Sequence, residues 1–577
     1  MSKSLEKISE EMHLRKIYNH KEKYLLTLCF VWGAILLFLV YSLTQIPVSQ
    51  PDLISQANED FRVRYVKDLY SHSPWPDVEQ GGPVGKVAHQ AAHYFWCGEK
   101  IFRFEDYLGL LSVVRILKPS SVVFHYNVLP FTDENVYHTW FLELRHSVRN
   151  FQLVQAKSKL RCGTNDVLDY ALSQLASNGG VYIGERTVLS RFPIELFASE
   201  LSSYNTLSSE TRDVTQGLIY SRSGFPEDAI PSIRERVLKS KNSCYSTIEY
   251  DSLASASLPT NPCVVVSEHV YPRDIWNGTT KFSELSRWLF YGRREPLQVT
   301  QGSEDDGLIP MTSHIVWAKP GGMWSSEEFQ FLNYLSVVSA LYVAGFESVI
   351  VYSQSEPRGE WWGRLRGENV TFVKVDEKGK FYKNSSLPGT FDGELSLASL
   401  LQQGGAYQDQ DIIWVNEIPN SIRRYPAVVC KDWARRGEWP EFFNMGVVLA
   451  KPNADWLKHF STTFGYGTAD KWALNSPSMP YRAYEQAPDQ VYVDSYLQVI
   501  CYRGICHPTW KDDYLTEIDN FQPIINYDWR EARAFHFIVP KPPRSLTSPD
   551  AIKTGFGMFA EMGRLVLEKS GNSDLLK

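Results

Sequence analysis

One pattern runs through this chain twice, in the same order. His93-Tyr-Phe-Trp96 recurs as His314-Ile-Val-Trp317, and Phe102–Tyr126 lines up without gaps on Phe329–Ser353. Trp140, Leu144 and Arg145 fall on Trp361, Leu365 and Arg366, and Phe151–Val154 falls on Phe372–Val375. Gly179-Gly180-Val-Tyr182 then falls on Gly404-Gly405-Ala-Tyr407, and Gly217–Arg222 on Gly446–Lys451. The offsets stay between 221 and 229 residues. An ordered series of this kind is the signature of an internal repeat.

Each copy alternates two kinds of segment. Short β-branched runs read as buried strands: Val122–Phe124, His314–Trp317, Ser348–Tyr352, Val370–Val375, Ile412–Val415 and Val447–Leu449. A stretch of helical length, Phe102–Leu117 or Glu327–Val343, separates the first two strands of each copy. Strand, helix, strand in repetition requires crossovers and hence parallel pairing. The fold class is therefore α/β: two tandem Rossmann-like domains, each with a mostly parallel sheet, spanning 89–300 and 308–545. Residues 546–577 read as a C-terminal tail. Ligands of such sheets sit beyond the carboxyl ends of the strands.

Ahead of the repeat lies an apolar segment. Tyr24–Thr44 is 21 residues without a formal charge, long enough at about 1.5 Å per residue to cross a hydrocarbon core of roughly 30 Å. Lys3, Lys7, Arg15, Lys16, Lys21 and Lys23 precede it, and the first basic residue beyond it is Arg62. That asymmetry predicts a cytosolic tail at 1–23, a membrane signal anchor at 24–44 and a type II orientation. Residues 45–88, with Pro47, Pro51, Pro74, Pro76, Pro83 and Gly81-Gly82, read as a stem with a short helix near Glu59–Tyr70. Asn277, Asn369 and Asn384 each head a glycosylation triplet, as a lumenal chain allows. Seven cysteines follow the span, so at least one is free or pairs between chains; Cys501 and Cys506 are spaced for a short disulfide. With 43% apolar residues the chain can bury large cores, and a net charge of −7 excludes the basic excess of a nucleic-acid binder.

The chemistry-bearing stretch is Leu395–Val415. A helix-period segment ends at Gln403, Gly404-Gly405 supplies the stop, and Tyr407 precedes Asp409-Gln410-Asp411 at the head of a strand. Two carboxylates one residue apart beside a turn can aim at one divalent ion. Oxygen ligands suit Mg²⁺ or Mn²⁺, either of which also grips a diphosphate.

This context resembles the DXD-motif sugar-binding glycosyltransferases, the group of initiating α-1,6-mannosyltransferases and α-1,4-galactosyltransferases. The similarity covers roughly Ile309–Pro543. It lies in Gly404-Gly405-Ala-Tyr407-Gln-Asp409-Gln-Asp411, in Ile309-Pro310 followed by His314 and Trp317, and in Phe443-Asn444-Met-Gly446. The resemblance implies GT-A-like domains in a Golgi membrane enzyme. Asp409 and Asp411 hold the metal, and Tyr407, Gly404, Gly405, Asn444, Gly446, His314 and Trp317 lie on the donor side. A UDP- or GDP-sugar is the donor, a lumenal glycan or glycoconjugate the acceptor, and the anomeric configuration is retained. Ala534-Phe535-His536-Phe537 is similar to the C-terminal element that completes the metal shell in several such enzymes, which makes His536 a third ligand or a structural strand-end histidine. The sequence departs from the family at Ser396, where an Arg is usual.

In the first copy Gly184 and Arg186 stand where the second has Asp409 and Asp411. Neither is a metal ligand, so that copy is a packing partner or uses Arg186 to hold an anion without metal. Arg423, Arg424, Lys431, Arg435 and Arg436 are a solvated basic face or steer a diphosphate, and Asp489-Gln490 starts a helix or meets the acceptor. The rival to an enzyme is a non-catalytic glycan- or nucleotide-binding scaffold with the same fold.

Overall fold

Ala91–Trp96 (β1) buries five of its six side chains. A strand covered on both faces belongs inside a parallel sheet with crossovers above and below. The computed structural model describes residues 90–577 outside several connections, the longer being 131–139, 206–216, 318–327, 376–390, 432–442, 462–478, 507–528 and 537–547. The expected tail 1–23, membrane span 24–44, stem 45–88 and the triplet at Asn384 lie outside the described residues. Among the described residues no helix is long and apolar enough to cross a membrane.

In the first half β1 is flanked by Ser121–Tyr126 (β2), Phe151–Gln155 (β3), Gly180–Ile183 (β4), Leu201–Asn205 (here β6, after Thr187–Leu189, β5) and Gly217–Ser221 (β7). The sheet order is β3-β2-β1-β4-β7-β6; the first four strands are parallel, and β7 runs antiparallel to β4 and β6. A side sheet joins β5 to Cys263–Val265 (β9), which also meets Tyr245–Ser246 (β8). The helices that matter here are Phe104–Ser112 (α1), Asn165–Asn178 (α2), Pro272–Trp276 (α3) and Lys281–Tyr291 (α4).

The second half repeats the plan. Thr312–Val316 (β10), Ser348–Ser353 (β11), Val370–Lys374 (β12), Gly405–Gln408 (β13), Ala427–Lys431 (β15, after Ile412–Trp414, β14), Phe443–Ala450 (β16) and Val491–Val493 (β17) form one sheet. Its order, β12-β11-β10-β13-β16-β15-β17, matches the first strand for strand and sense for sense, with β17 added at the edge. Cys501–Tyr502 (β18) and Ile505–Cys506 (β19) form a small ladder that sets Cys501 opposite Cys506, and β14 pairs antiparallel with Ala534–His536 (β20). Helices Phe331–Ser339 (α5), Phe391–Gln403 (α6), Met479–Gln486 (α7), Pro549–Thr554 (α8) and Met558–Lys569 (α9) follow in order. The described residues all fall in one compact unit, so the halves are not separable bodies.

The same joints recur at equivalent places. The expected long helices are α1 and α5, each widened at its end by a π-helical turn, Val113–Leu117 and Ala340–Ala344. The Ser112 hydroxyl donates to Gly109 O and accepts from Leu189 N–H at 2.8 Å; Ser339 donates to Ser336 O and accepts from Trp414 N–H at 3.0 Å. Each serine ties its helix to the short strand after the diglycine turn.

Two expectations need correction. Residues 546–577 are no tail: Ile552, Phe559, Met562, Val566 and Leu567 are buried in the core of the second half. This hairpin of α8 and α9 repeats α3 and α4, for Arg287 donates to the carbonyls of Ile275 and Gly278 as Arg564 does to those of Ile552 and Gly555. The spacing here is 277 residues, because the second half carries a longer connection before it. The repeat also shifts at β3: Phe151 faces Val122 as Val370 faces Val349, so Phe151 corresponds to Val370 and not Phe372. A shift of two leaves every side chain on its own face of the sheet, so alternation alone does not reveal it.

Buried imidazoles link the sheets to pH. His314, fully buried, faces Gly404 O through Nε2 at 2.9 Å and the Tyr352 hydroxyl through Nδ1 at 3.0 Å. In the first half His93 Nδ1 meets His125 Nε2 at 3.0 Å, and His125 Nδ1 meets the Tyr170 hydroxyl at 3.0 Å. Burial holds His93 and His314 down to about 4, and burial with the neighbouring His93 holds His125 down to about 3. Below its ordinary value near 6.5 each unfolded histidine binds a proton that the folded one refuses, so stability is full above 6.5 and lost as pH falls towards 4. Asp106, pushed up to about 7 by burial and by Glu185 and Glu105, works in the opposite sense, one group against three. The thermal midpoint is therefore expected to fall steadily between pH 6.5 and 4, as scanning calorimetry across that range will read. Ser339→Ala leaves the Trp414 N–H without its acceptor and should cost about 1–3 kcal/mol in urea unfolding.

Candidate metal centre

Two glycines fix where the acidic turn begins. Gly404 and Gly405 have φ of 67° and 101°, and a Cβ on Gly405 would stand 2.3 Å from Thr312 O. Gly179 and Gly180 do the same in the first half, with φ of 67° and 116° and Ala91 O in the way. The pair is thus architecture: it lets β13 lie against β10 and delivers Asp409 to the carboxyl end of the parallel strands. Asp409 N–H then bonds Gly446 O at 2.8 Å, Gln410 Nε2 donates to Val316 O, and the chain turns through Asp411 into β14. Because β14 pairs with β20 in the register Ile412–His536, the turn and the histidine arrive together.

The three ligand atoms lie within 4.8 Å of one another. His536 Nε2 is 3.4 Å from Asp409 Oδ2 and 3.2 Å from Asp411 Oδ1. The other Asp409 oxygen accepts from the Tyr407 hydroxyl at 2.6 Å. Side-chain exposure is 38% for Asp409, 14% for Asp411 and 4% for His536, so the centre opens to solvent on the Asp409 side. Behind His536, its Nδ1 is 3.0 Å from Asn444 Oδ1, which also accepts from Gly446 N–H at 2.8 Å. The Gly446 donor fixes that end of the amide as oxygen, so Nδ1 carries a proton and Nε2 is the ring atom turned towards the two carboxylates.

Three electron-rich atoms in that arrangement call for a cation between them. Cis ligands at about 2.1 Å in an octahedral shell lie roughly 3 Å apart, close to the two observed edges. Asn444 supplies the outer hydrogen bond that metal-bound histidines keep. Oxygen-rich donors with one imidazole suit Mn²⁺ or Mg²⁺. The residues fit the ion.

No family model matches this chain, and no curated protein does. Among solved structures it is similar to glycosyltransferases. The PaToxG glycosyltransferase shares 17% identity at a TM-score of 0.25, covering 31% of this chain and 71% of that one. The galactosyltransferase LgtC, in complex with donor and acceptor sugar analogues, shares 14% at 0.25, covering 45% and 95%. Apo GlyE of Streptococcus pneumoniae TIGR4 shares 11% at 0.21, covering 50% and 80%.

The structure brings together Asp409, Asp411, His536, Tyr407, Asn444 and Gly446. It does not bring His314 or Trp317 to the donor side. His314 has no exposed surface and braces the diglycine turn; Trp317 packs on Phe329 in the core, as Trp96 packs on Phe102. Both roles persist in the half without acids, which marks them as structural. Trp361 lies against Phe331 and Tyr334, as Trp140 lies against Phe104 and Tyr107. Arg423 is committed to Ile309 O and Asn420, and Asp489 pairs with Arg293 at 2.5 Å. Asn369 donates to Glu347 O as Asn150 donates to Ser120 O, a structural bond that the triplet pattern conceals. Sequence reasoning gave Asn444 to the donor; it stands behind the histidine instead.

Among the described residues the first half has no such centre. Val265 faces Thr187 where His536 faces Ile412. Arg186 lies 3.5 Å from Glu105, a carboxylate only 1% exposed, and donates to Ser267 O, while His269 bonds the same carboxylate at 3.0 Å. A buried acid needs that counter-charge, so the guanidinium is committed inside the protein. Gly446→Ala should destroy the second-half centre, since its Cβ would stand 2.2 Å from His536 Cε1. We expect at least a tenfold loss of Mn²⁺ affinity by calorimetry, with the far-ultraviolet circular dichroism unchanged.

Proposed function

We propose that this chain is a metal-dependent glycosyltransferase that moves a sugar from a nucleotide-sugar, UDP- or GDP-linked, onto a glycan or glycoconjugate. The observation that carries this reading is the imidazole Nε2 held against two carboxylates at the carboxyl edge of a parallel sheet. Asp409, Asp411 and His536 would hold Mn²⁺ or Mg²⁺, which supplies charge neutralisation to a departing nucleoside diphosphate. Tyr407 steadies Asp409 through one carboxylate oxygen while the other faces His536, and Asn444 keeps Nε2 of His536 turned towards the acids. The open Asp409 side gives the diphosphate its approach. Retention of configuration, and hence an α-linkage, follows from the family resemblance, and the reading names no side-chain base.

The disulfides Cys97–Cys162 and Cys244–Cys263 favour an oxidising compartment. With the charge asymmetry around 24–44 they support a type II Golgi membrane protein whose transferase part is lumenal. The second reading, a non-catalytic scaffold, is favoured by the first half, which keeps the sheet without the acids.

Calorimetry with Mn²⁺ and a panel of UDP- and GDP-sugars distinguishes the two. Saturable, metal-dependent binding of a nucleotide-sugar is expected, and its absence across the panel leaves the scaffold. Asp409→Asn and Asp411→Asn should each lower metal-dependent transfer at least a hundredfold while the part beyond residue 44, expressed without the span, stays folded and secreted. Full activity in both variants would overturn the enzyme reading.

A further inference from the structure

The halves meet at a buried joint that the transfer chemistry does not explain. Arg482, on α7 of the second half, lays its guanidinium 3.6 Å above the Trp140 ring of the first. The same guanidinium bonds Glu485 at 3.1 Å, and Glu485 has no exposed surface. Trp140 is itself wedged among Phe104, Tyr107 and Phe290. Beside it Tyr291 of the first half accepts from Trp276 Nε1 at 2.6 Å and donates to Glu485 O at 2.8 Å. Trp276 also meets the Tyr484 ring edge-on at 5.0 Å. A buried ion pair seated on another half's aromatic cage specifies one docking geometry.

What α7 touches on its other side gives the joint its consequence. Tyr481 and Tyr484 pack on Phe443 at 5.1 and 5.0 Å between ring centres. Phe443 opens β16, and the next residue is Asn444. Successive residues of a strand point to opposite faces, so α7 presses on one face of β16 while Asn444 holds His536 on the other. We propose that Arg482 is a positioning residue for the metal centre: docked on Trp140, it sets α7 and β16 so that Asn444 holds His536 towards the cation. The half without acids is then part of the centre's outer support. This rests on the metal reading of Asp409, Asp411 and His536.

The test is affinity for Mn²⁺ alone, read on the full chain from the free-ion electron paramagnetic resonance signal. Arg482→Met combined with Glu485→Gln removes both charges and strands neither. It should weaken Mn²⁺ binding about tenfold, the usual cost of losing outer-shell support. Trp140→Phe keeps the aromatic cage while shrinking the face under the guanidinium, and should cost about threefold. In an Asn444→Ala background the paired substitution should have no further effect, because its route is already cut. Affinity within twofold of wild type in the folded pair variant overturns the proposal, and so does a tenfold loss that persists without Asn444. Asp409→Asn separates the layers. Undiminished Mn²⁺ binding there fells the metal reading and this one with it; binding lost there but kept in the Arg482 variant fells this one alone.

Discussion

Two neighbouring carboxylates repel one another, and the second half is built to hold them together beside an imidazole. The force that does so is spread along the backbone. The β14–β20 ladder brings His536 beside the acidic turn, and the Asp409 N–H bond to Gly446 O locks the turn to β16. Gly446 is glycine because His536 occupies the space a side chain would need. Each constraint is local, yet each depends on the parallel sheet that fixes where β13 ends. A divalent ion held among these side chains would relieve that repulsion, and its binding would then be coupled to order in the turn.

The first half shows the same frame with the repulsion removed. Its diglycine, its serine joint and its helical hairpin are all present. At the turn, however, Arg186 brings a fixed positive charge that buried Glu105 absorbs. Val265 replaces the histidine across the ladder. The change puts an internal cation at the turn where the second half has two carboxylates, so the turn of the first half is satisfied by itself. Such a half is free to specialise as a surface for its neighbour.

Much of this was legible in the chain because sheet and turn chemistry are local. The diglycine with its tyrosine and twin acids could be read directly, and strands such as Ser348–Ser353 show as β-branched runs. The parallel core follows from alternation of strand and helix. What escaped the reading was set by distance or by parity. The closing hairpin Pro549–Lys569 is a faint copy of Pro272–Tyr291, visible only once a longer insertion is allowed. The two-residue slip at β3 preserves the pattern of faces. His314 and Trp317 carried a family likeness, but the residues they touch, Tyr352 and Phe329, lie well downstream in sequence, so nothing local showed the contacts. Asn444 was read as facing the donor because nothing in sequence shows which side of β16 His536 occupies.

The joint at Arg482 shows why retaining a half without acids is physically sensible. A buried Arg–Glu pair contributes little net stability, since desolvation offsets most of its attraction. It does penalise every alternative docking in which either charge is left alone. Stacking on Trp140 adds direction, because a guanidinium prefers the face of an indole to its edge. The pair therefore defines an orientation more than it strengthens an attachment. An orientation is what a metal centre requires from its surroundings: His536 is set by Asn444 on one side and the acids on the other. A second folded half, pressed against α7 through aromatic rings, supplies that orientation.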